Sequence, residues 1–285
     1  MGMMDLQSLR ERGPESLQSS MSLDRLDAAS ESAARLRDFL SSSGVDPEKD
    51  LTRMYMAVAG QKDDRQPYLV VYGDFRRQRI EETVRSTFGS ELTETQREGT
   101  TIFTAADANR SGADKEMSFA VVNDELIVGS SSPDRVAAML SRQKSEAGAA
   151  NEAGRPDLMR LAAQGESAWF VVRDVQAPST HGGESPDEFR QLGRAVRDVA
   201  GSFSFTTEGR LDGQMWLVPK DGAAAQDVAD VAKGALAAAK QKASDNPEWT
   251  SALDQVTIRP QGNRVDVSFS LSPSLLDQMM EKKDG

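Results

Sequence analysis

Pairs of short apolar strands, separated by helical segments, recur along the chain and restrict its fold class. In the first half the predicted pairs are Thr52 to Ala59 with Tyr68 to Tyr72, and Met117 to Val122 with Glu125 to Gly129. In the second half they are Ser202 to Thr207 with Leu211 to Val218, and Gln255 to Arg259 with Arg264 to Leu271. Adjacent hairpins form antiparallel sheets, unlike the crossovers of a doubly wound fold. We therefore predict an α+β protein of two pseudo-repeated halves of helices and hairpins, with a mainly antiparallel sheet and helices packed on one face.

The segment between Gly44 and Phe88 contains the most closely spaced predictions of strands, helix caps and helices. Thr52 to Ala59 is apolar at both alternating sets of positions, which predicts a buried strand with a neighbour on each side. After Tyr68 to Tyr72, Gly73 and Asp74 are predicted to end the strand and cap a helix. This helix is expected from about Phe75 to Thr87, with its inward positions at the helical period.

Helices are also predicted elsewhere, from Ser22 to Leu40 and from Ala223 to Ala243, where apolar residues follow the helical period. The sequence Ser185-Pro186-Asp187-Glu188 has the form of a capping box. The helix that follows it is expected to carry Leu192, Val196 and Val199 on one side.

The order of the predicted elements divides the chain into residues 1–143 and 156–285. The segment between them, residues 144–155, is small, polar and without hydrophobic period, which predicts a linker. Each half contains helices, two strand pairs and a closing Ser-Pro helix start, so an internal structural repeat is one interpretation. Chance alternation of helices and hairpins, which is common in mixed folds, is the other.

Charge and residue usage exclude several classes of function. With a net charge of −11 and no obvious basic patch, the chain is not expected to bind nucleic acid. It has no cysteine, so disulfides, thiolate metal sites and cysteine nucleophiles are impossible. No window approaches the roughly 18 apolar residues of a membrane span, and the first residues lack a signal-peptide core. We expect a soluble chain without an integral membrane segment, although Met-Gly-Met-Met could follow a removed export signal.

Residues with catalytic or metal-binding chemistry are few. His181 is the single histidine and lies in a glycine-rich loop, which excludes a serine–histidine triad and any site that needs several histidines. Asp107, Asn109 and Asp114 have the composition of a calcium loop, but the closing glutamate is missing. No phosphate-binding glycine loop is present. We therefore predict no catalytic residue, no metal site and no cofactor.

One basic cluster departs from the acidic background. Arg76, Arg77 and Arg79 crowd the first turn of the predicted helix after Asp74, where the helix dipole favours acids. They are candidates for an anion or partner contact. The alternative is a solvated helix end in which these arginines pair with Glu81 and Glu82.

The run Gly44-Val45-Asp46-Pro47-Glu48-Lys49-Asp50-Leu51, followed by an apolar strand and a Tyr-Gly-Asp-Phe strand exit, resembles a group of uncharacterised bacterial proteins. Members of this group are often exported or envelope-associated. The resemblance covers the first half of the chain, and its motif consists of a cap, a turn and a strand. It implies no catalytic residues.

Two functions are compatible with these observations. The first is a non-enzymatic binding or scaffold protein, in which a broad antiparallel sheet presents one face or groove to a protein or small ligand. The second is a hydrolase whose carboxylates come from both halves, because glycoside hydrolysis requires only two carboxylates. The absence of a convergent catalytic set favours the first.

Overall fold

The structure is a computed structural model of the chain. It describes residues 1–14, 39, 41–47, 49–59, 66–106, 116–144, 156–163, 167–175, 187–220 and 223–281. The predicted helix from Ser22 lies outside the described residues except near its end, and so do most of the linker 144–155 and the capping box at Ser185.

Two compact units make up the chain. The first comprises Met1–Arg10 and Gln18–Gly154, and the second comprises Glu11–Leu17 and Arg155–Gly285. The boundary between residues 154 and 155 falls at the end of the predicted linker. The short segment Glu11–Leu17, in contrast, groups with the second unit, which the sequence did not predict.

The described part of the first unit contains seven strands, all paired antiparallel. They are β1 (Gly2–Asp5), β2 (Leu51–Ala59), β3 (Gln66–Gly73), β4 (Leu92–Arg97), β5 (Thr100–Ala106), β6 (Glu116–Asn123) and β7 (Leu126–Ser130). Their order in the sheet is β1-β2-β3-β7-β6-β5-β4. β2 therefore has a neighbour on each side, as its two apolar faces predicted. The strand β4 was not predicted.

Helices of the first unit pack on both faces of its sheet. α1 (Leu6–Arg12), whose last two residues belong to the second unit, follows β1, α2 (Arg77–Phe88) follows β3, and α3 (Pro133–Lys144) follows β7. Ile80 and Val84 of α2 share a core cluster with Phe103, whereas α3 shares another cluster with Ile102. Phe103 and Ile102 are consecutive in β5, and successive side chains of a strand point to opposite faces. The α+β class with antiparallel sheet is confirmed, but in this unit the helices are not confined to one face.

The N-terminus of α2 is stabilised by a neighbouring hairpin and not by Asp74, the predicted cap. Arg76 occupies the N-cap position and makes no capping hydrogen bond through its side chain. The Asp124 carboxylate, from the turn between β6 and β7, accepts a hydrogen bond from the Arg77 backbone N–H at 3.1 Å. The Asp124 carbonyl also accepts one from the Phe75 N–H at 2.6 Å. A side chain distant in sequence thus satisfies the donors that a local cap was expected to satisfy.

Five strands form the antiparallel sheet in the described part of the second unit. They are β8 (Ala168–Val172), β9 (Val196–Phe205), β10 (Leu211–Pro219), β11 (Thr257–Gln261) and β12 (Arg264–Leu271), in the order β8-β9-β10-β12-β11. The helix predicted to include Val196 and Val199 ends at Ala195, and both valines belong to β9. They pack into the same core cluster as Leu192, so the apolar spacing was real although the secondary structure differs.

The helices of the second unit are α4 (Pro156–Ala162), α5 (Asp187–Ala195), α6 (Ala225–Lys242), α7 (Pro247–Asp254) and α8 (Pro273–Glu281). α6 buries Val228 and Ala232 against Leu217 of β10 and Val265 of β12. At the start of α7 the Asn246 side chain accepts hydrogen bonds from the N–H groups two and three residues later. This is the expected action of an asparagine cap. In the described part of the chain no helix is both long and apolar enough to cross a membrane.

The two sheets share one topology. The order β1-β2-β3-β7-β6 in the first unit corresponds strand for strand to β8-β9-β10-β12-β11 in the second. In both units a helix follows the first hairpin and another follows the second, namely α2 and α3, and α6 and α8. The hairpin of β4 and β5 is additional in the first unit and continues the sheet beyond β6. Duplication of one sequence is one interpretation of this common topology, and it stays a prediction.

Candidate functional site

An apolar surface of the first unit is exposed on the same sheet face that α2 partly covers. Val71, Ile127 and Val121 lie on this face beneath α2 and pack against its core cluster. Further along the same strands, the face carries Met56, Val58, Pro67, Leu69, Met117 and Phe119, which we call the apolar patch. The register places Met56 opposite Leu69 and Val58 opposite Pro67. Phe119 still packs against the core cluster of α2, whereas Met56, Val58 and Met117 are exposed.

Three side chains of the apolar patch are more than half exposed to solvent. Met56 is 51% exposed, Val58 62% and Met117 60%. Leu69 and Phe119 are partly buried, and they flank Gly129 of β7 in the cross-strand register. From β2 to β6 the patch crosses β3 and β7, a width of about 14 Å. Clusters of exposed apolar side chains of this kind mark interaction surfaces more often than isolated ones do.

The sequence predicted β2 to be buried, and this prediction is wrong for its second half. The physical reason is the direction of the covering helix, because Arg85 in its last turn pairs with Glu94 of β4, at the edge of the sheet away from β2. α2 begins near the end of β3, at the turn that contains Asp124, and covers Val71 but leaves Met56 and Val58 exposed. Alternation in a strand reveals which residues share a face, but not where the element that covers them ends.

The second unit covers the corresponding face with its own aromatic side chains. The Phe170 and Phe203 rings stack at 5.9 Å, and the Phe203 and Phe269 rings lie 6.2 Å apart. Gly201 and Gly213 lie beneath these rings, so close that a Cβ atom at either position would overlap a ring atom. Aromatic rings placed over strand glycines stabilise a sheet. On this face the second unit thus carries three partly buried phenylalanine rings, whereas the first unit carries the more exposed Met56, Val58 and Met117.

The predicted arginine cluster is largely occupied by contacts within the protein. The Arg77 side chain pairs with Glu81 at 2.7 Å and donates to the Val122 carbonyl at 3.1 Å. The Arg79 side chain donates to the Ser42 carbonyl at 3.3 Å. Arg76 is exposed. These contacts favour the alternative of a helix end with local pairing, and an anion or partner contact at Arg76, Arg77 and Arg79 stays a prediction.

A polar depression of about 540 Å³, partly open to solvent, lies on the second sheet, over β9, β10 and β12, and we call it the cavity. Its lining consists of Ser202, Ser204, Asp212, Gly213, Gln214, Gln255, Ser268, Phe269 and Ser270. Two rows of polar side chains run across the strands. One row contains Ser202, Gln214 and Ser268, and the other contains Ser204, Asp212 and Ser270.

Asp212 is the carboxylate of this cavity. It accepts hydrogen bonds from Ser270 Oγ at 2.7 Å and from Arg210 Nε at 3.1 Å. Burial acts to raise the pKa of Asp212, but the hydrogen bonds from Ser270 and Arg210 outweigh it and lower this pKa below its ordinary value. Asp212 is therefore ionised near neutral pH, and Arg210 balances its charge.

The described lining of the cavity places no second carboxylate beside Asp212. Asp198 is buried in β9 and pairs with Arg197 at 3.2 Å, but its position in the strand register is about 20 Å from that of Asp212. Carboxylate pairs in glycosidases are about 5–10 Å apart. No group of acidic or histidine side chains suited to a metal ion occurs in the described part of the chain. His181 and the acidic loop of Asp107, Asn109 and Asp114 lie outside the described residues.

Neither the apolar patch nor the polar cavity was predicted from the sequence. The strands that line the cavity nevertheless show a pattern that indicates it. Ser202 and Ser204 alternate with Phe203, and Ser268 and Ser270 alternate with Phe269. This period of two predicts one polar and one aromatic face for each strand. The fact that the two strands flank β10, and so bring their serines to one cavity, is a property of the topology and not of local sequence.

Comparison with known proteins identifies a fold and no family. No protein-family model matches the chain, and no curated protein matches it. Among solved structures, the chain is similar to crystal form III of TP0453, with a TM-score of 0.52 and 10% identity over 98% of this chain and 93% of that one. Crystal form I gives 0.50 and 10% over 99% and 92%, and crystal form IV gives 0.50 and 11% over 98% and 91%. At such low identity the similarity shows the fold alone.

Proposed function

We propose that the protein is a non-enzymatic binding protein that receives an amphipathic helix of a partner protein on the apolar patch. The observation that carries this proposal is the exposure of Met56, Val58 and Met117 on an otherwise well-packed sheet face. Burial of these side chains by a partner would stabilise the complex by about 25 cal/mol for each Å² of apolar surface removed from water.

A helix is the occupant that suits this face best. α2 already packs on the neighbouring part of the same face through Ile80, Val84 and Phe88. The patch is about 14 Å wide, and a helix with its side chains is about 10–12 Å in diameter. A second helix beside α2 would therefore continue the helix layer.

The exposed methionines of the patch and the net charge of the protein indicate which kind of partner helix is expected. Met56 and Met117 have flexible, polarisable side chains, which adapt to different apolar partners. The net charge of −11 favours a partner helix whose polar side is basic, because opposite charges accelerate encounter. The proposed partner is thus a basic amphipathic helix.

The proposal is tested with a fluorescein-labelled model peptide of leucine and lysine, about 18 residues long, which makes about five helical turns. We expect the peptide to bind with an affinity at least about tenfold higher than a scrambled peptide of the same composition, measured by fluorescence anisotropy. A peptide with glutamate in place of lysine separates apolar from charge contributions and is expected to bind more weakly than the lysine form. Equal affinities for the patterned and scrambled peptides would contradict the proposal.

A carboxylate-based hydrolase remains the alternative from the sequence, but no observation in the described residues favours it. The envelope location implied by the resemblance of the first half likewise stays part of the proposal. Fractionation of cells of the source organism, followed by immunoblotting, would place the protein in the envelope fraction if this is correct.

A further inference from the structure

The polar cavity of the second unit has the character of a binding site, independently of the apolar patch. Its volume of about 540 Å³ is within the range of small-molecule sites, about 300–1,000 Å³. Three neighbouring strands supply most of its described side chains, and Gln255, between α7 and β11, supplies another. Sites on regular elements hold their groups more precisely than sites on loops.

The hydroxyl of Ser202 is the group in the cavity that points most clearly to a ligand. It is only 7% exposed, and within the described part of the chain its side chain has no hydrogen-bond partner. No fully buried side-chain oxygen or nitrogen there lacks a partner, so the Ser202 oxygen must be accessible from the cavity. A nearly buried hydroxyl without a protein partner is free to pair with a ligand or water.

Neighbouring groups extend this hydrogen-bonding capacity. Gln214 is opposite Ser202 in the register, is exposed, and makes no side-chain hydrogen bond to the residues that the structure describes. Its amide offers both donors and an acceptor. Ser268 is hydrogen-bonded to Thr257 at 2.7 Å, and Ser270 to Asp212, so these two hydroxyls support the cavity wall.

The charges around the cavity select among ligand classes. Among the described residues, its lining contains no lysine, arginine or histidine, which disfavours an anion in a protein of net charge −11. Asp212 is the one acidic side chain in the part of the lining that the structure describes, and Arg210 already pairs with it through two hydrogen bonds of 3.1 and 3.2 Å. A cation would therefore gain little from Asp212. The remaining groups are neutral hydroxyls and amides.

We propose that the cavity formed by β9, β10 and β12 binds a neutral polyhydroxylated compound of the sugar class, with Ser202 and Gln214 as its principal hydrogen-bonding residues. The hydrogen-bonding groups of a sugar match those of the cavity. A sugar presents several hydroxyls, each able to donate and accept, to a surface that offers hydroxyls and amides in two rows.

Saturation-transfer difference NMR on the full chain tests this inference with three probes of one ring form: glucose, glucuronate and glucosamine. They are neutral, anionic and cationic, respectively. We expect saturation transfer to glucose, stronger than to either charged probe. Ser202→Ala is expected to weaken glucose binding by about threefold to tenfold, the effect of one hydrogen bond. Gln214→Leu, which keeps the side-chain size, is expected to have a similar effect.

Ser251→Ala, an exposed serine of α7 outside the cavity, is the matched control and is expected to bind glucose as the parent does. Thermal unfolding of each variant checks that the fold is retained. The inference is overturned if glucose receives no saturation transfer, if a charged probe binds more strongly than glucose, or if both cavity variants bind glucose as the parent does.

Discussion

Replacement of Phe75 by alanine is expected to lower the free energy of unfolding by about 3–5 kcal/mol. Phe75 is 2% exposed and belongs to the core cluster that joins α2 to β5 and β6. Its ring also lies against Gly73, at a distance where a Cβ atom could not be accommodated. Removal of the ring would leave a cavity between these elements, because the backbone around Gly73 is held by hydrogen bonds to Asp50 and Glu125.

Urea unfolding followed by circular dichroism measures this effect. Phe88→Ala is the matched control, because Phe88 lies at the end of α2 and is only partly buried against the same cluster. We expect Phe88→Ala to lower the free energy of unfolding by less than Phe75→Ala does. A loss below about 1 kcal/mol for Phe75→Ala, or equal losses for both variants, would show that Phe75 does not join α2 to the sheet.

The second large effect concerns binding and not stability. Combined substitution of Met56→Gln and Val58→Gln is expected to weaken binding of the leucine–lysine peptide by about tenfold to hundredfold. Each side chain would lose about 1 kcal/mol of apolar contact with the peptide, and 1.4 kcal/mol corresponds to a factor of ten. Glutamine keeps the length of methionine and adds no charge. Because both residues are more than half exposed, the stability of the free protein should change by less than about 0.5 kcal/mol for each substitution.

Val172→Gln supplies the control for this pair. Val172 is 46% exposed and lies in β8 of the second unit, outside the apolar patch. Its substitution is expected to leave peptide affinity unchanged within about twofold. If Val172→Gln weakens binding as much as the double substitution does, the peptide recognises apolar surface in general and not the apolar patch.

The sequence predicted most strands because their apolar runs are long and clearly bounded. β2, for example, begins at Leu51 and ends at Ala59, close to the predicted Thr52 to Ala59. Where a prediction was wrong, tertiary structure decided the outcome. Val196 and Val199 continue the helical spacing of Leu192, yet pairing with β10 makes them a strand. β4 has the sequence Leu-Thr-Glu-Thr-Gln-Arg, with no apolar alternation, and is defined by its pairing with β5.

The candidate surfaces were less predictable for a related reason. Sequence alternation places Met54, Met56 and Val58 on one face of β2, but exposure depends on the direction in which α2 crosses that face. Likewise, the serines of β9 and β12 are far apart in sequence and meet only because β10 lies between their strands. Both surfaces therefore arise from the order of strands and the placement of helices, which local patterns do not encode.

The proposal that the apolar patch is the binding surface is tested most directly by NMR of protein labelled with ¹³C at the methionine methyl groups. Met56 and Met117 lie in the patch, whereas Met279 of α8 is 44% exposed in the second unit and serves as the internal control. On titration with the leucine–lysine peptide, we expect the Met56 and Met117 methyl signals to shift while the Met279 signal stays in place. Shifts at Met279 with none at Met56 and Met117 would contradict it.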